Sequence, residues 1–382
     1  MVSIEIDSNF IGHFARRYVM KTAHGNPNRR DVMRKYIETK DGKFKYEVIL
    51  DFMQNMPEKY KYVPVQGNIS GGCCDNEGNI YLGLRGGSFM SAEPASAILQ
   101  LDKNGNFVRA IGDGKVGSMH FFEIKNDQKT MLIAHVGANT FSELDLKTGE
   151  IVGWLGTPGN GCDNGFNSNS FTDFRMHKGV VATEPLHEEA CGGSFEWYLM
   201  HKDIKLGEPF NKPTDVDYDS KGNIYVSDGY GNCAIHKFSP EGKLLKTWGG
   251  SGYEHFFDNE DTPGKFLVPH SLCTDSKDHI WLCDREKDAV HVFDDEGNLI
   301  FYAKGDLGQP SGIDSDKDYI YVCGRAGYLT IFDTDFNIVA ELGEFNGDLR
   351  AHSVAVDNDG NVYLFPTHAN TEHQCIALKR IK

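Results

Sequence analysis

Apolar and polar residues alternate along short segments that are separated by turn residues, and this pattern predicts β-strands paired as hairpins. Residues 75–82, 219–226 and 357–364 each place a Gly-Asn turn before a run of β-branched and aromatic residues. A second hairpin follows in the same unit, for example at residues 238–248 and 293–300. Each unit therefore predicts four antiparallel strands in roughly 40 residues, the period of a β-propeller blade.

Six such units begin near residues 68, 115, 211, 264, 307 and 347. The sequence thus predicts an all-β fold, a six-bladed β-propeller. The last unit reaches the end of the chain after three strands, which would leave an unpaired edge. The alternating segment 46–52 precedes the first unit, and we expect it to complete the sixth blade and close the ring. Residues 1–43 are then an N-terminal extension, and residues 44–382 form the propeller.

Residues 158–210 interrupt the repeat between the second and third units. The segment 159–170 is rich in turn residues, and 195–200 is apolar enough to pack against another element. We expect this insertion to lie across one face of the ring, where it would form a lid. The alternative, that part of it supplies an irregular outer strand, stays open.

Charge and cysteine content narrow the choice of partners and compartment. The formal net charge of -16 disfavours nucleic acids and anionic membranes as partners, because both reward clustered Lys and Arg. The chain shows neither a signal peptide nor a membrane-crossing run, so we expect a cytoplasmic location. Its nine cysteines include no Cys-x-x-Cys pair, which indicates neither a disulfide framework nor a thiolate zinc site. The oligomeric state stays open.

One position recurs at the start of every unit and alternates between a hydroxyl residue and a histidine. In chain order it holds Ser70, His120, Thr214, His270, Ser311 and His352. The innermost strands of a propeller line its central channel, so histidines from alternate blades should converge on the axis. Three imidazoles with an open fourth position are typical of catalytic zinc. A lone histidine is more often a core residue, but the strict alternation favours Zn²⁺ bound by His120, His270 and His352.

A second set of side chains follows the second strand of each unit and is largely cationic. Its members are Arg85, His135, Tyr230, Arg285, Arg325 and His368. Three arginines gathered in an acidic protein predict a site for a small anionic substrate, most simply a carboxylate that matches the guanidinium fork. The alternative is that the arginines pair with neighbouring acids such as Asp284 or Glu286.

Residues 210–293 closely resemble the lyase domain of the peptide-amidating enzymes, peptidyl-α-hydroxyglycine α-amidating lyase. The resemblance rests on Lys-Pro-Thr-Asp-Val at 212–216, Ile-Tyr-Val-Ser-Asp-Gly-Tyr-Gly-Asn at 224–232, Pro-Gly-Lys-Phe-Leu-Val-Pro-His-Ser-Leu at 263–272 and Cys-Asp-Arg-Glu at 283–286. It is looser over 60–157 and 307–382, and absent from 1–43 and 158–210. It implies a propeller of NHL-type repeats with a catalytic zinc on the same three histidines.

The resemblance also implies a reaction, the cleavage of a carbinolamide C–N bond to give an amide and glyoxylate. By the same resemblance Tyr230 and Arg85 are catalytic, and Arg285 contacts the substrate. A phenol is a poor base at neutral pH, but a neighbouring arginine and a dication favour its phenolate form. Zinc would polarise the substrate oxygen while Arg85 stabilises the developing charge.

Three positions depart from that family. Ser353 replaces an aspartate associated with a structural Ca²⁺, which leaves calcium open, and Gly231 replaces a cystine position of secreted members. Arg350 replaces a substrate-contacting methionine. We therefore expect a small α-hydroxy carboxylate rather than a peptide, with Arg325, Arg350 and His368 among the substrate-binding residues. Cleavage of a C–N bond is the first expectation, and cleavage of a C–O bond is the second.

Two other classes of function stay open. A metal-dependent hydrolase or hydratase on the same propeller would normally hold a hard cation with Asp, Glu and Asn ligands. A non-catalytic NHL-type binding module would use the faces of the ring for partner proteins. Neither class requires an axial ring of histidine, tyrosine and arginine.

Overall fold

Six antiparallel sheets form a closed ring, because the inner strand of each sheet contacts the inner strands of both neighbouring sheets. This architecture comes from a computed structural model that describes residues 36–61, 69–85, 96–117, 119–159, 161–167, 195–255, 261–344, 347, 349–366 and 374–382. The predicted six-bladed β-propeller is confirmed.

The first five blades each contain four strands in meander order. Blade 1 contains β3 (Ile69–Cys74), β4 (Ile80–Leu84), β5 (Ser96–Leu101) and β6 (Phe107–Val116), and blade 2 contains β7 (Phe122–Ile124), β8 (Thr130–His135), β9 (Thr140–Asp145) and β10 (Ile151–Leu155). Blade 3 contains β11 (Asp215–Tyr218), β12 (Ile224–Asp228), β13 (Ala234–Phe238) and β14 (Leu244–Gly249), and blade 4 contains β15 (Pro269–Thr274), β16 (Ile280–Asp284), β17 (Ala289–Phe293) and β18 (Leu299–Lys304). Blade 5 contains β19 (Pro310–Ser315), β20 (Tyr319–Gly324), β21 (Tyr328–Asp333) and β22 (Ile338–Gly343). Short helices lie outside the blades: α1 (Glu58–Lys61), α2 (Phe195–His201) and the 3₁₀ turns Tyr253–His255 and Arg285–Lys287.

Both ends of the chain build the sixth blade. It contains β23 (Ser353–Val356), β24 (Val362–Phe365), β25 (Ile376–Arg380), β2 (Lys45–Ile49) and β1 (Tyr36–Glu38). Tyr46 pairs with Arg380 across the β2–β25 ladder, and the Arg380 guanidinium donates to the Tyr46 hydroxyl at 2.8 Å. The N-terminal strand therefore closes the ring as predicted. β1 adds a fifth strand from within the segment that the sequence assigned to the extension.

The recurring turn motif Asp-x-x-Gly-Asn-x-Tyr is explained by one carboxylate that fixes its own hairpin. In blade 6, Asp357 Oδ1 accepts the backbone N–H of Asn361 at 3.0 Å. Its Oδ2 accepts the Asn361 side-chain amide at 2.8 Å and the Tyr363 hydroxyl at 2.9 Å. Asp75 and Asp219 accept the same set of bonds in blades 1 and 3. Each turn is thus satisfied locally, so the blades can fold as similar units.

Carboxylates on the inner strands tie neighbouring blades together. Asp215 in blade 3 accepts from the Ser271 hydroxyl of blade 4 at 2.7 Å. Asp217 accepts from Thr274 in the same way, and Asp314 of blade 5 accepts the Val356 N–H of blade 6 at 2.7 Å. Burial raises the pKa of all three carboxyls above the ordinary value. Acidic residues along the channel therefore serve the ring itself.

Cys273, Cys283 and Cys323 are buried in strands, as expected for small core residues. Within the described ranges, the helices are too short or too polar to span a bilayer. The cytoplasmic location stays a prediction.

Tyr46 and Tyr36 form a matched pair for testing ring closure, because Tyr46 is 0% exposed and Tyr36 is 44% exposed on the adjacent strand. We expect Tyr46→Ala to lower the free energy of unfolding by about 3–5 kcal/mol, because it leaves a cavity at the seam of the sixth blade. Tyr36→Ala should change it by less than about 1 kcal/mol. Urea unfolding followed by circular dichroism measures both, and equal effects of the two substitutions would contradict this account of closure.

Candidate functional site

Every blade begins its inner strand with a β-bulge, and the bulged residue is the one that alternates between hydroxyl and histidine. In blade 4, Pro269 pairs with Asp284 and Ser271 with Cys283, which leaves His270 as the extra residue. The same shift occurs at Ser70 and Ser311. In the remaining blades, two residues bond to one partner: His120 and Phe121 to Ala134, Thr214 and Asp215 to Ser227, and His352 and Ser353 to Phe365. A bulge re-aims its side chain, which turns this position toward the axis.

Each histidine is fixed by a backbone carbonyl of the next blade. The Nδ1 atoms of His120, His270 and His352 lie 2.8, 2.6 and 2.9 Å from the carbonyl oxygens of Thr214, Ser311 and Ser70, respectively. A carbonyl oxygen only accepts, so each Nδ1 carries the proton and each Nε2 offers a lone pair. The hydroxyl residues of the alternating position thus supply the carbonyls that set the tautomer of the histidines.

The three imidazoles converge on one point, because one ring nitrogen from each lies within 4.8 Å of the others. All three side chains are buried. Burial is the main cause that lowers their pKa well below the ordinary value, and the charges of Arg85 and Arg285 act in the same direction. Neutral imidazoles with a fixed tautomer and convergent lone pairs are suited to bind a divalent transition metal. The structure therefore brings the predicted ligands together.

Phe121 lies directly against the three histidines. Its ring centroid is 4.1 Å from that of His120, 5.3 Å from that of His270 and 5.0 Å from that of His352. Phe121 also lines the small polar cavity on the channel that contains Asp215. This ring therefore separates the histidines from the acidic part of the channel, and it leaves the opposite side of the cluster for a substrate.

Tyr230 reaches the histidines from a tight loop that requires glycine on both sides. A Cβ at Gly229 would lie 1.9 Å from the carbonyl oxygen of Pro269, and a Cβ at Gly231 would lie 2.3 Å from Asn211 Oδ1. Only glycine permits this close approach of backbone to its neighbours. The two glycines in the sequence Asp-Gly-Tyr-Gly-Asn therefore allow the loop to bring the Tyr230 phenol to the axis.

The Tyr230 hydroxyl lies 2.8 Å from His120 Nε2 and 2.8 Å from His270 Nε2. Both nitrogens are acceptors because their Nδ1 atoms hold the protons, whereas the hydroxyl has one proton to donate. The hydroxyl can therefore satisfy only one of the two lone pairs. A cation at the point where the Nε2 atoms converge would satisfy both, and this donor count supports a metal site independently of the sequence repeat.

Arg285 pairs with a neighbouring acid and also reaches Tyr230. Its Nε donates to the Glu286 carboxylate at 2.6 Å, so it pairs with a neighbouring acid as the alternative foresaw. Its Nη1 donates to the Tyr230 hydroxyl at 3.3 Å. Burial opposes its charge, but Glu286 and Tyr230 raise the pKa of Arg285 above the ordinary value overall. A permanent cation is thus held beside the Tyr230 oxygen.

Arg85 and Arg325 lie within electrostatic range of Tyr230. Arg85 Nε donates to the carbonyl oxygen of Met119 at 2.9 Å, which places it next to the His120 segment. Burial lowers the pKa of Arg85 to about 10, and it also lowers the pKa of Arg325. Both arginines keep their charge at neutral pH. The predicted basic mouth around Tyr230 is therefore assembled from blades 1, 4 and 5.

The remaining predicted substrate-binding residues are Arg350 and His368. Arg350 precedes the His352 segment, and its Nε is buried without a hydrogen-bond partner among the described residues. A buried guanidinium nitrogen of this kind is costly unless a ligand satisfies it. His368 lies outside the described residues, so its predicted role stays a prediction.

The insertion contributes residues that sequence reasoning did not single out. Trp197 of α2 stacks on Tyr230 with ring centroids 5.4 Å apart and an interplanar angle of 22°. His201 Nε2 lies 2.7 Å from the carbonyl oxygen of Tyr230. The apolar run at 195–200 was the only signal in the sequence. It indicated that this segment packs against another element, but it did not indicate which one. The outer strand of blade 2 is β10, which precedes the insertion, and the described residues of the insertion include one helix, α2, and no strand.

Comparison with known proteins finds an NHL repeat over residues 210–238. Peptidylglycine alpha-amidating monooxygenase of Rattus norvegicus is 41% identical over 225 residues, which is 52% of this chain and 21% of that protein. Peptidyl-alpha-hydroxyglycine alpha-amidating lyase 2 of Drosophila melanogaster is 27% identical over 269 residues, which is 62% of this chain and 59% of that protein. The predicted resemblance to the amidating lyases is confirmed. The chain spans about a fifth of the length of this rat protein and of the Xenopus laevis peptidyl-glycine alpha-amidating monooxygenases A and B.

A gluconolactonase from Xanthomonas campestris has the same architecture. The two structures superpose with a TM-score of 0.54 at 11% sequence identity, covering 92% of this chain and 96% of the other. At this identity the match supports the propeller fold alone. The similarity to the amidating lyases, by contrast, rests on sequence.

His270 and His291 test the metal centre as a matched pair, because both are fully buried in blade 4 and only His270 faces the axis. We expect about one divalent metal ion per chain in protein purified without chelator. His270→Ala should lose it, because the two remaining imidazoles bind too weakly, whereas His291→Gln should keep it. Elemental analysis of the folded variants measures this, and metal retained in His270→Ala would exclude the three-histidine centre.

Proposed function

We propose that the protein is a zinc-dependent lyase that cleaves the C–N bond at the hydroxylated carbon of a small, carboxylate-bearing substrate. The observation that carries the proposal is the convergence of three neutral Nε2 atoms with the Tyr230 hydroxyl, beside Arg285. The similarity to proteins named as amidating lyases supports the same reaction class.

The three histidines would hold the zinc ion, and their carbonyl partners would keep each Nε2 aimed at it. Bound there, zinc supplies Lewis acidity to an oxygen of the substrate. Phe121 closes the side toward the channel. The substrate therefore approaches from the mouth that carries Tyr230 and the arginines.

Tyr230 is placed to handle the proton of the carbinol hydroxyl. Its oxygen accepts an N–H of Arg285 at 3.3 Å, which holds the phenol where it can exchange a proton with the substrate. The phenolate takes the hydroxyl proton as the C–N bond breaks, and the hydroxylated carbon becomes an aldehyde. The same proton then passes to the departing nitrogen, which leaves as an amide. For an α-hydroxyglycine derivative the products are the amide and glyoxylate, and no oxidant or reductant is needed.

Arg85 is placed to hold negative charge on the substrate. It lies in blade 1 across the mouth from Arg285, and both act electrostatically on His120 and His352. A guanidinium can bind a carboxylate through two parallel hydrogen bonds and so orient the carbinol carbon. The substrate's charge would in turn offset the cost of confining several cations in a half-buried mouth.

The composition of the site argues against the alternative classes. Nitrogen ligands select a borderline transition metal, whereas the hydrolase alternative would hold a hard cation through oxygen ligands. Three buried imidazoles with a phenol among them serve no purpose in a scaffold protein. A metal-dependent hydratase or dehydratase, which would break a C–O bond with the same residues, is the second candidate.

Tyr230→Phe tests the proton-transfer role, with Tyr225→Phe as its matched control because Tyr225 is a buried tyrosine of the same blade whose hydroxyl bonds Asp219 instead. We expect Tyr230→Phe to lower turnover by about 10²–10⁴-fold, the scale of a general base, and Tyr225→Phe to leave turnover near that of the native protein. Arg85→Ala should also lower turnover. Glyoxylate release from peptidyl and small α-hydroxyglycine derivatives is the measurement.

The same assay decides the reaction class. Release of glyoxylate by the native zinc protein, lost in Tyr230→Phe, would support C–N cleavage. No release from any of these compounds, with zinc in place, would discard C–N cleavage and leave hydration or dehydration as the candidate.

Arg350 is expected to set the preference for more anionic substrates, because its buried Nε has no partner among the described residues. Arg350→Met should weaken binding of a dianionic substrate more than of a monoanionic one, by roughly the 1.5–3 kcal/mol of a charged hydrogen bond. KM values for the two substrates measure the difference. Arg109→Met is the control and should not discriminate between the two substrates, because Arg109 of β6 bonds Gln100 of β5 and the Leu146 carbonyl oxygen of blade 2.

A further inference from the structure

A series of aromatic ring contacts runs from Tyr253, between blades 3 and 4, through the insertion to the histidine cluster. His201 lies parallel to Tyr253, with centroids 5.0 Å apart and planes 13° apart. Trp197 follows at 5.3 Å from His201 and 5.4 Å from Tyr230. The Tyr230 ring then meets His120 edge-on at 5.1 Å. The insertion thus ends on the one side chain to which we assign the proton transfer.

Trp197 also contacts the cation of the site. The Arg285 guanidinium lies 5.5 Å from the Trp197 ring centroid and 5.6 Å from that of Tyr230. Such a position over aromatic faces is attractive, and more so when water is excluded. Trp197 packs in addition against the apolar cluster of Val136, Tyr230 and Val268, which come from three successive blades. The Trp197 indole therefore contacts both the Tyr230 ring and Arg285, whose N–H donates to the Tyr230 hydroxyl.

We propose that Trp197 is a positioning residue of the active site, which holds the Tyr230 ring and the Arg285 guanidinium in register with the metal centre. The inference rests on the function proposed above. Trp197 does not touch the reacting atoms, so its effect is exerted through Tyr230 and Arg285.

The loop that carries Tyr230 explains why such support is needed. Gly229 and Gly231 flank the tyrosine, and glycine leaves the unbound backbone many conformations. The insertion restrains the backbone of this loop at two points. His201 Nε2 lies 2.7 Å from the carbonyl oxygen of Tyr230, and the Asn164 side-chain amide donates to the carbonyl oxygen of Gly231 at 2.7 Å. Trp197 adds the restraint on the ring itself. A displacement of about 1 Å in a reacting group can cost on the order of 10²-fold in rate.

Trp197→Leu is the decisive variant, because leucine keeps an apolar side chain and removes the flat face that stacks. We expect kcat to fall about 10- to 100-fold while KM changes less than about threefold, because orientation and not substrate binding is lost. Trp197→Phe should restore most of the rate. Trp154→Ala, at a tryptophan that is 51% exposed on β10, is the control and should leave kcat unchanged.

Zinc content and thermal unfolding of each variant separate positioning from folding. A folded Trp197→Leu protein with full zinc and native kcat would overturn the proposal. A fall in kcat that Trp197→Phe does not restore would also overturn it, because the stacked ring would then not be what matters.

A readout without turnover separates this inference from the proposed function. In protein whose zinc is replaced by cobalt(II), the visible absorption reports the surroundings of the metal. We expect Trp197→Leu to change this spectrum and Trp197→Phe to restore it, because the Tyr230 hydroxyl lies beside the ligands. If the native protein released no glyoxylate, the proposed function would fail and the cobalt spectrum alone would decide. An unchanged spectrum in Trp197→Leu would then reject the role of Trp197.

Discussion

Closure of the ring is the constraint on which the axial site depends. The three histidines come from blades 2, 4 and 6, and they meet only if the sixth blade is complete and lies against the first. Completion needs the N-terminal strand, since β2 pairs with β25. The candidate site also links blade 6 to blade 1, because His352 Nδ1 donates to the carbonyl oxygen of Ser70 in blade 1 at 2.9 Å. The metal centre and the closure therefore support each other, and a bound cation would stabilise the closed ring through preferential binding to the folded state.

The alternation of hydroxyl and imidazole has a physical reason in the geometry of the bulges. Every blade turns one side chain toward the axis, and the small hydroxyl residues in alternate blades leave room there for the three imidazoles. With a histidine in every second blade, each Nδ1 finds the main-chain oxygen of the next bulge, and the tautomer is fixed without any acidic partner. Carboxylates lie instead beyond Phe121, where they tie blades together. The ligands thus stay neutral and the mouth stays cationic, which suits an anionic substrate.

The sequence predicted the blades, the closing strand and the convergence of the three histidines, because each depends on a pattern that repeats along the chain. Gly-Asn turns mark the hairpins, and the position of His270 within its repeat is enough to place it on the axis. Trp197 could not be found in this way, since the insertion occurs once and has no counterpart for alignment. The ring on which Trp197 stacks depends on the path of the insertion, which the sequence pattern does not show. The bulges could not be predicted either, because each lies at the first residues of an inner strand, before the alternation that marks the strand begins. For Arg285, the sequence offered either an acid or a bound substrate as partner, and the structure shows the Glu286 carboxylate and the Tyr230 hydroxyl as its partners.

The location of the insertion follows from where support is required. Most inner strands carry a histidine or a hydroxyl that the ring itself holds in place, but Tyr230 stands on a glycine-flanked loop at the far end of β12. The connection from blade 2 to blade 3 passes next to this loop, so extra chain inserted there can reach Tyr230 without crossing the mouth. The described part does so with Asn164, Trp197 and His201. The repeat thus supplies the three-histidine cluster, and the insertion that interrupts the repeat supplies contacts that restrain Tyr230 beside it.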